Sequence, residues 1–234
     1  MRIAIMQPYI FPYIGYFQLI MAVNRFIVYD DVTFIKQGWI NRNRILAKDA
    51  PLFFTIPLSG VSSYRIIRDV SINKALYSGW RNKFFKTLDQ YYRKAPHYKQ
   101  VLPIINDVFY DEPRQISVLA IRSIKAVCSY LAISTELVET AINYRNSHLK
   151  AEDRVIDICC QENAQVYVNV AGGKKLYSHE NFRKHGIKLN FLKSGDIFYK
   201  QFEYPFVPWL SIIDVMMFNT PETIQQIVNQ YELV

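Results

Sequence analysis

The chain has 234 residues, half of them hydrophobic and 21% charged, which fits a folded globular protein with a sizeable core and excludes a disordered one. Its three cysteines, Cys128, Cys159 and Cys160, have no C-x-x-C spacing, which argues against a disulfide framework or a zinc site and fits a reducing cytoplasm. A net charge of +8 and a pI near 9.3 suit an acidic partner such as a phosphorylated substrate, an acidic carrier protein, anionic lipid or a nucleic acid, although a solvated basic surface has the same composition. No run of five basic residues marks a nucleic-acid-binding arm.

The apolar N-terminus carries one Arg, lacks a small-residue cleavage site and is interrupted by Pro8 and Pro12, so it reads as folded chain and not as a signal peptide. No stretch of about 18 apolar residues is free of proline or charge, so no membrane span is expected. Residues 2–6 read as a buried strand. Pro12 then opens a helix over 13–23, because a missing N–H costs nothing in the first turn. Residues 25–29 are a second buried strand ending at Asp30-Asp31. Strand, helix and strand within so few residues make a βαβ unit, so the two strands should be parallel. Residues 52–57 and 66–72 look like strands joined as a hairpin across L-S-G-V-S-S-Y-R. Apolar residues at fourfold spacing, Leu76, Trp80, Phe84 and Leu88, predict a helix over 75–92. Helices over 98–109 and 117–131 complete a helical block at about 75–131. Alternation then resumes, with strands at 135–138, 166–170 and 187–191. Helices are expected at 152–161, at 178–185 closed by Gly186, at 211–218, and at 221–231 with Thr220 as N-cap. The expected fold class is α/β, one domain over 1–234 with a mainly parallel sheet and a helical insertion.

Chemistry gathers at strand ends. Gln7, Pro8, Tyr9, Pro12, Tyr13, Gly15, Tyr16 and Gln18 follow the first strand, where open parallel sheets bind ligands beside a helix N-terminus that favours anions. Either they line a ligand site or they form a packed aromatic turn. Asp30 and Asp31 follow the second strand. Alternation points them to opposite sides, so either one meets a ligand, or one caps and the other is solvated. Lys36, Trp39, Asn41, Arg42 and Asn43 interleave cations, amides and an aromatic, as a phosphate and ring site would, or as an exposed edge strand would. Gly172, Gly173 and Lys174 suit a phosphate cradle or an ordinary turn, and their spacing is not that of a Walker A loop. Ser211 and Asp214 have capping-box spacing. His148, in a polar stretch, is the lone histidine placed for acid–base work. No metal-ligand spacing occurs.

The string M-Q-P-Y-x-F-P-Y-x-G-Y-F-x-L-I at residues 6–20, then Y-D-D-V at 29–32 and K-x-G-W-I-N-R-N-R-I at 36–45, resembles the opening of the WbqC-like family. Lys150 with Asp153–Asp157, Gly172-Gly173-Lys174 with Leu176-Tyr177, and Gln201, Phe206, Pro208 and Leu210–Asp214 extend the resemblance over nearly the whole chain. His148 is outside the family pattern. The resemblance implies a cytoplasmic protein of surface-polysaccharide (O-antigen) biosynthesis. Its implied activity is transfer of an acyl or aminoacyl group to the amine of a nucleotide-linked amino sugar. The implied donor is an acyl carrier protein thioester or an aminoacyl-tRNA, and no bound cofactor is implied. On that reading Arg42, Lys36 and Lys174 hold phosphates, and Trp39 and Tyr9 stack on sugar or base. Asp30 or Asp31 orients and deprotonates the amine, and Gln7, Tyr13 and Tyr16 stabilise the oxyanion. Pro8, Gly15, Gln18, Asn41, Asn43, Gly172 and Gly173 complete the substrate site. A second resemblance, at the level of fold, is to Rossmann-like HIGH-motif nucleotidyltransferases. Here Tyr13 and Tyr16 stand at the histidine positions and cannot carry imidazolium charge. Two alternatives remain open: a non-catalytic binder of sugar nucleotide or carrier protein, and an ATP-dependent nucleotidyltransferase or ligase with a tyrosine variant of the motif.

Overall fold

The computed structural model describes residues 1–234 apart from Ser63, Glu112 and Tyr204. In chain order the elements are β1 (Arg2–Met6), α1 (Ile14–Met21), β2 (Arg25–Val28), β3 (Arg42–Ala47), β4 (Ala50–Thr55), β5 (Leu58–Ser59), β6 (Ser71–Ile72) and α2 (Lys74–Tyr92). They continue as α3 (Tyr98–Tyr110), α4 (Ile116–Tyr130), β7 (Glu136–Val138), α5 (Ala151–Gln161) and β8 (Val166–Val170). The last are α6 (His179–Lys184), β9 (Lys188–Ser194), α7 (Ile212–Phe218), α8 (Pro221–Val228) and β10 (Tyr231–Leu233).

The central sheet runs β10-β9-β8-β1-β2-β7, and every pair is parallel except the β10–β9 edge. β1 and β2 align with Ile3 opposite Arg25 and Met6 opposite Val28, as the βαβ expectation requires. β1 is apolar after its first residue because both its faces are covered. Successive side chains leave a strand on opposite faces, and the two cores divide along that line. Ile3 and Ile5 join the core under α5 and α6, while Ala4 joins the larger core under α1, α4, α7 and α8.

The predicted hairpin is redrawn. β4 pairs not with residues 66–72 but with β3, Arg42 opposite Thr55 and Ala47 opposite Ala50. Residues 67–69 form a short 3-10 turn, and only Ser71 and Ile72 form a strand, against β5. The polar run Arg42-Asn43-Arg44 hid β3, because a strand with cations on one face lacks an apolar alternation. The α2 stripe also shifts. Phe84 and Leu88 are buried as the stripe requires, but Leu76 is 58% exposed and Tyr77 and Tyr92 are buried beside them. The final helix stops at Val228, leaving residues 231–233 for the antiparallel edge strand β10. Among the described residues no helix is long and apolar enough to cross a membrane.

Candidate functional site

The strand order reverses at β1, whose neighbours β2 and β8 lead the chain to opposite edges of the sheet. Loops leaving the carboxyl ends of strands diverge at such a point and leave a crevice. The loop after β1 is heavily anchored there. The Phe11 amide donates to Ser123 Oγ at 2.9 Å, and the Phe11 carbonyl accepts from Asn43 Nδ2 at 2.7 Å and Ser211 Oγ at 2.7 Å. The Ile10 amide donates to the Ile40 carbonyl. Phe11 is held at φ +40°, a left-handed conformation that side chains resist and that these bonds maintain.

Held this way, Tyr9 and Tyr13 meet Trp39, Asn43, Arg44 and Trp209 around a cavity of about 220 Å³. Tyr13 and Trp209 lie 5.1 Å apart between ring centroids, and Trp39 stacks on Phe53 at 6.0 Å. Arg44 stands 5.2 Å from the Trp39 ring and donates from Nη2 to the Trp209 carbonyl at 2.8 Å. Its Nε is buried without a hydrogen-bond partner among the described residues. Arg42 flanks the same ring at 5.8 Å, but its guanidinium is turned back onto the Gln37 and Gly38 carbonyls. The cage therefore has aromatic walls, one available cationic face and a neutral floor. Beside it, α1 has no side-chain N-cap and no acid in its first turn, so its positive end is uncompensated. Burial raises the Tyr13 phenol to about 12 and the Tyr9 phenol further still, so both remain protonated donors at neutral pH. The Tyr13 hydroxyl makes no hydrogen bond among the described residues, whereas the Tyr9 hydroxyl accepts from the Tyr13 amide at 3.0 Å.

The WbqC-like protein family model matches residues 7–226, opening on the residue that begins this loop. The chain belongs to the WbqC-like protein family. It is also similar, at 30% identity over 222 residues and 93% of each chain, to Uncharacterized protein Rv1507c of Mycobacterium tuberculosis (strain ATCC 25618 / H37Rv). No solved structure matches.

In this WbqC-like protein the other expected site residues are dispersed. Tyr16 is in the core, edge-on to Tyr9 at 5.3 Å, and its hydroxyl donates to the Gln7 carbonyl at 3.2 Å. Gln18 is fully buried and ties α1 to the C-terminal segment through the Ile227 and Gln230 carbonyls and Ser194 Oγ. Pro8 is buried and Gly15 half-buried; a Cβ at Gly15 would meet the Tyr13 ring at 3.2 Å, so its lack of a side chain gives that ring room. Asn41 holds the Ile56 carbonyl, and Asn43 lines the cage while clamping Ile10 and Phe11. Lys36 is exposed at the turn before β3.

Asp30 and Asp31 point to opposite sides, as alternation requires. Asp31 forms a buried ion pair with Arg154 at 2.5 Å on the α5 side, and Arg154 also caps the Tyr29 ring at 4.9 Å. Asp30 accepts from Thr140 Oγ1 and the Ala141 amide and lines a separate cavity against α4. Desolvation raises its pKa, against the opposing pull of those hydrogen bonds. Neither carboxylate lines the cage. Gly172 and Lys174 are exposed beyond β8, and a Cβ on Gly173 would press the Asn169 side chain at 3.1 Å, which gives that glycine a packing role. His148 is exposed on the segment before α5. Ser211 does cap α7, accepting from the Ile213 amide at 3.3 Å. Among the described residues no group of three potential metal ligands occurs.

Trp209 was not singled out in the sequence, and Arg44 was marked only as part of the run at residues 36–44. Arg44 sits at the end of the run that contains Arg42, and strand alternation alone places both cations on one face. Trp209 adjoins the recognisable L-S-I-I-D run, and an aromatic beside a proline in a loop is the signal that marks it.

Proposed function

We propose that this WbqC-like protein holds a nucleotide-linked amino sugar in the aromatic cage and transfers an acyl or aminoacyl group to its amine, in the cytoplasm, as a step of surface-polysaccharide synthesis. The observation that carries the reading is the convergence of Tyr9, Tyr13, Trp39 and Trp209 with Arg44 on one ring-sized cavity. Aromatic faces take the apolar face of a sugar or a base, and the Arg44 guanidinium lining the cavity supplies a positive charge suited to a phosphate. The strand order, reversing at β1, supports a Rossmann-like assignment for the sheet. In the reaction the amine nitrogen attacks the thioester or ester carbonyl carbon, an oxyanion forms, and the C–S or C–O bond breaks. The thiol or ribose hydroxyl leaves with the proton released by the amine. The Tyr13 hydroxyl, protonated and without a partner among the described residues, is the donor assigned to the oxyanion on this reading.

Binding without turnover is the second reading, favoured by the absence of both carboxylates from the cage lining. Burial of Tyr16 weighs against a tyrosine version of an adenylylation motif, since a core phenol cannot steady a phosphate. Titration of UDP- and dTDP-linked amino sugars, read by quenching of Trp39 and Trp209 fluorescence, tests the cage. Incubating the bound sugar with acyl carrier protein thioesters and aminoacyl-tRNAs then tests the chemistry. Saturable binding with no acylated product from any donor leaves the binding reading, and no binding of either sugar removes both.

A further inference from the structure

The largest cavity described, about 780 Å³, is away from the cage. One wall is a face of α4, and the other is the 67–69 turn with the loop after β7. Two polar side chains on it are more than nine-tenths buried: Asp30, 4% exposed, and Ser117, 3% exposed. Thr140 and Ala141 both bond to Asp30 Oδ1, so Asp30 Oδ2 and Ser117 Oγ have no hydrogen-bond partner among the described residues. Neither atom is among the polar atoms sealed from solvent, so both stand open to a molecule that enters the cavity.

The charges lining the cavity are of two signs, Asp30, Asp69 and Glu139 against Arg68, Arg122 and Lys125. Lys125 pairs with Glu139 at 2.6 Å, and Arg122 faces Asp111 at 3.6 Å. Among the described residues the Arg68 guanidinium makes one hydrogen bond, Nη1 to Thr140 Oγ1 at 3.3 Å, and Thr140 in turn donates to Asp30 at 2.8 Å. One hydroxyl thus separates a cation from a buried carboxylate. α4 begins without a side-chain N-cap, and the Val70 carbonyl takes the Ile116 amide, so the Ser117 and Val118 amides carry its positive end. A plain anion would meet Asp30, and a plain cation would meet Arg68 and the helix end. A molecule carrying both charges close together is satisfied at both. Val118, Ile121 and Ala126 line the remainder and give an apolar stem somewhere to lie.

We propose that this cavity binds a small zwitterion of the α-amino-acid class, its ammonium on Asp30, its carboxylate on Arg68 and the leading amides of α4, and its side chain along α4. The site is independent of the sugar-nucleotide reading, because no residue lines both cavities.

Calorimetric titration of the full-length protein with the standard L-amino acids tests this, alongside the N-acetyl and carboxamide derivatives of the tightest binder and glucosamine 6-phosphate. An apolar amino acid is expected to bind, with loss of roughly tenfold or more in affinity when either of its charges is removed. Asp30→Asn and Arg68→Gln should each weaken it to a similar degree, and Trp209→Ala should leave it unchanged. Val118→Trp, on the half-open wall of α4, blocks the cavity without touching a charge. It serves if Asp30→Asn impairs folding, since Asp30 also holds the Ala141 amide. No heat from any amino acid at millimolar concentration overturns the proposal. So does equal binding of the N-acetyl derivative, indifference to Arg68→Gln and Val118→Trp, or preference for the sugar phosphate.

Discussion

Arg44 donates to the Trp209 carbonyl at 2.8 Å while its guanidinium stands 5.2 Å from the Trp39 ring, so one side chain from β3 joins the backbone of one cage tryptophan to the ring of the other. The arginine is part scaffold and part ligand site, and substitutions separate the two parts. Arg44→Lys retains a charge but loses the planar fork, and Arg44→Gln loses both. Affinity for a sugar nucleotide should fall roughly tenfold in the first and further in the second, about 1.4 kcal/mol or more. The midpoint of thermal unfolding should move little, since a partly exposed hydrogen bond contributes only about 1 kcal/mol. Fluorescence titration and a melting curve on the same samples decide it. Unchanged binding with an unchanged melting curve would remove Arg44 from the site.

Trp209 and Trp39 are 61% and 44% exposed, so neither is needed to fill the core. Trp209→Ala and Trp39→Ala are each expected to weaken ligand binding by about 1–2 kcal/mol through lost ring stacking, with stability within about 0.5 kcal/mol of the parent. Denaturant unfolding and calorimetric binding give the two numbers separately. A Trp209→Ala protein that binds normally would show the cage to be an accident of the loop.

The buried pair Asp31–Arg154 behaves in the opposite way. Asp31→Ala strands a guanidinium that is 6% exposed, whose one other side-chain bond among the described residues is Nε to Asn146 Oδ1 at 2.9 Å. Removing one member of such a pair costs about 3–5 kcal/mol, whereas replacing both with apolar residues is often neutral. Asp31→Leu with Arg154→Met should therefore recover most of the stability lost in Asp31→Ala. The double variant also asks whether Asp31 serves chemistry: transfer that survives in it would exclude Asp31 as the base.

How far the sequence spoke for the structure depended on the range of the contacts. β1 and β2 were legible because four or five apolar residues in a row, stopped by a proline or an acid pair, have few other readings. The opposite placement of Asp30 and Asp31 followed from strand alternation alone. The cage was legible only in part. Tyr9, Tyr13 and Trp39 share a local signature, but Arg44 meets Trp209 across 165 residues, and no local pattern joins them. The cavity at Asp30 was hidden for the same reason, since its opposite wall is a face of α4 whose Ser117 reads locally as a helix-start residue.

Asp214 is fully buried and accepts from Tyr92 at 2.6 Å, Tyr199 at 2.6 Å and Gln201 at 2.8 Å. Gln201 also bonds both ways to Val207, which ties the carboxyl to the loop that carries Trp209. Desolvation raises its pKa above 3.8 in spite of the three donors. A carboxyl whose pKa is higher folded than unfolded binds its proton more readily in the native state. Its contribution to stability is therefore complete below the unfolded value and declines as pH rises through the folded one. The difference in unfolding free energy between the parent and Asp214→Asn should shrink from acid toward neutral pH, and a flat or rising difference would contradict this. Asp214→Ala, which removes the acceptor of both phenols and of one Gln201 Nε2 bond, should cost about 2–4 kcal/mol and weaken sugar-nucleotide binding through the loosened loop.

Under the proposed transfer reaction, Tyr13 and Tyr16, one helical turn apart, separate catalysis from packing. The Tyr16 hydroxyl is spent on the Gln7 carbonyl in the core, so Tyr16→Phe should lower stability by about 1 kcal/mol and leave the transfer rate intact. The Tyr13 hydroxyl has no partner among the described residues, so Tyr13→Phe removes no hydrogen bond described there and keeps the ring that packs on Trp209. Loss of an oxyanion donor lowers kcat by about a hundredfold or more, with KM for the sugar nucleotide nearly unchanged because the ring contact remains. Steady-state rates and urea unfolding of the two variants measure both effects. A Tyr13→Phe enzyme with full kcat would shift the oxyanion role elsewhere, and a Tyr16→Phe enzyme that folds normally yet fails to turn over would bring the core phenol back into the mechanism.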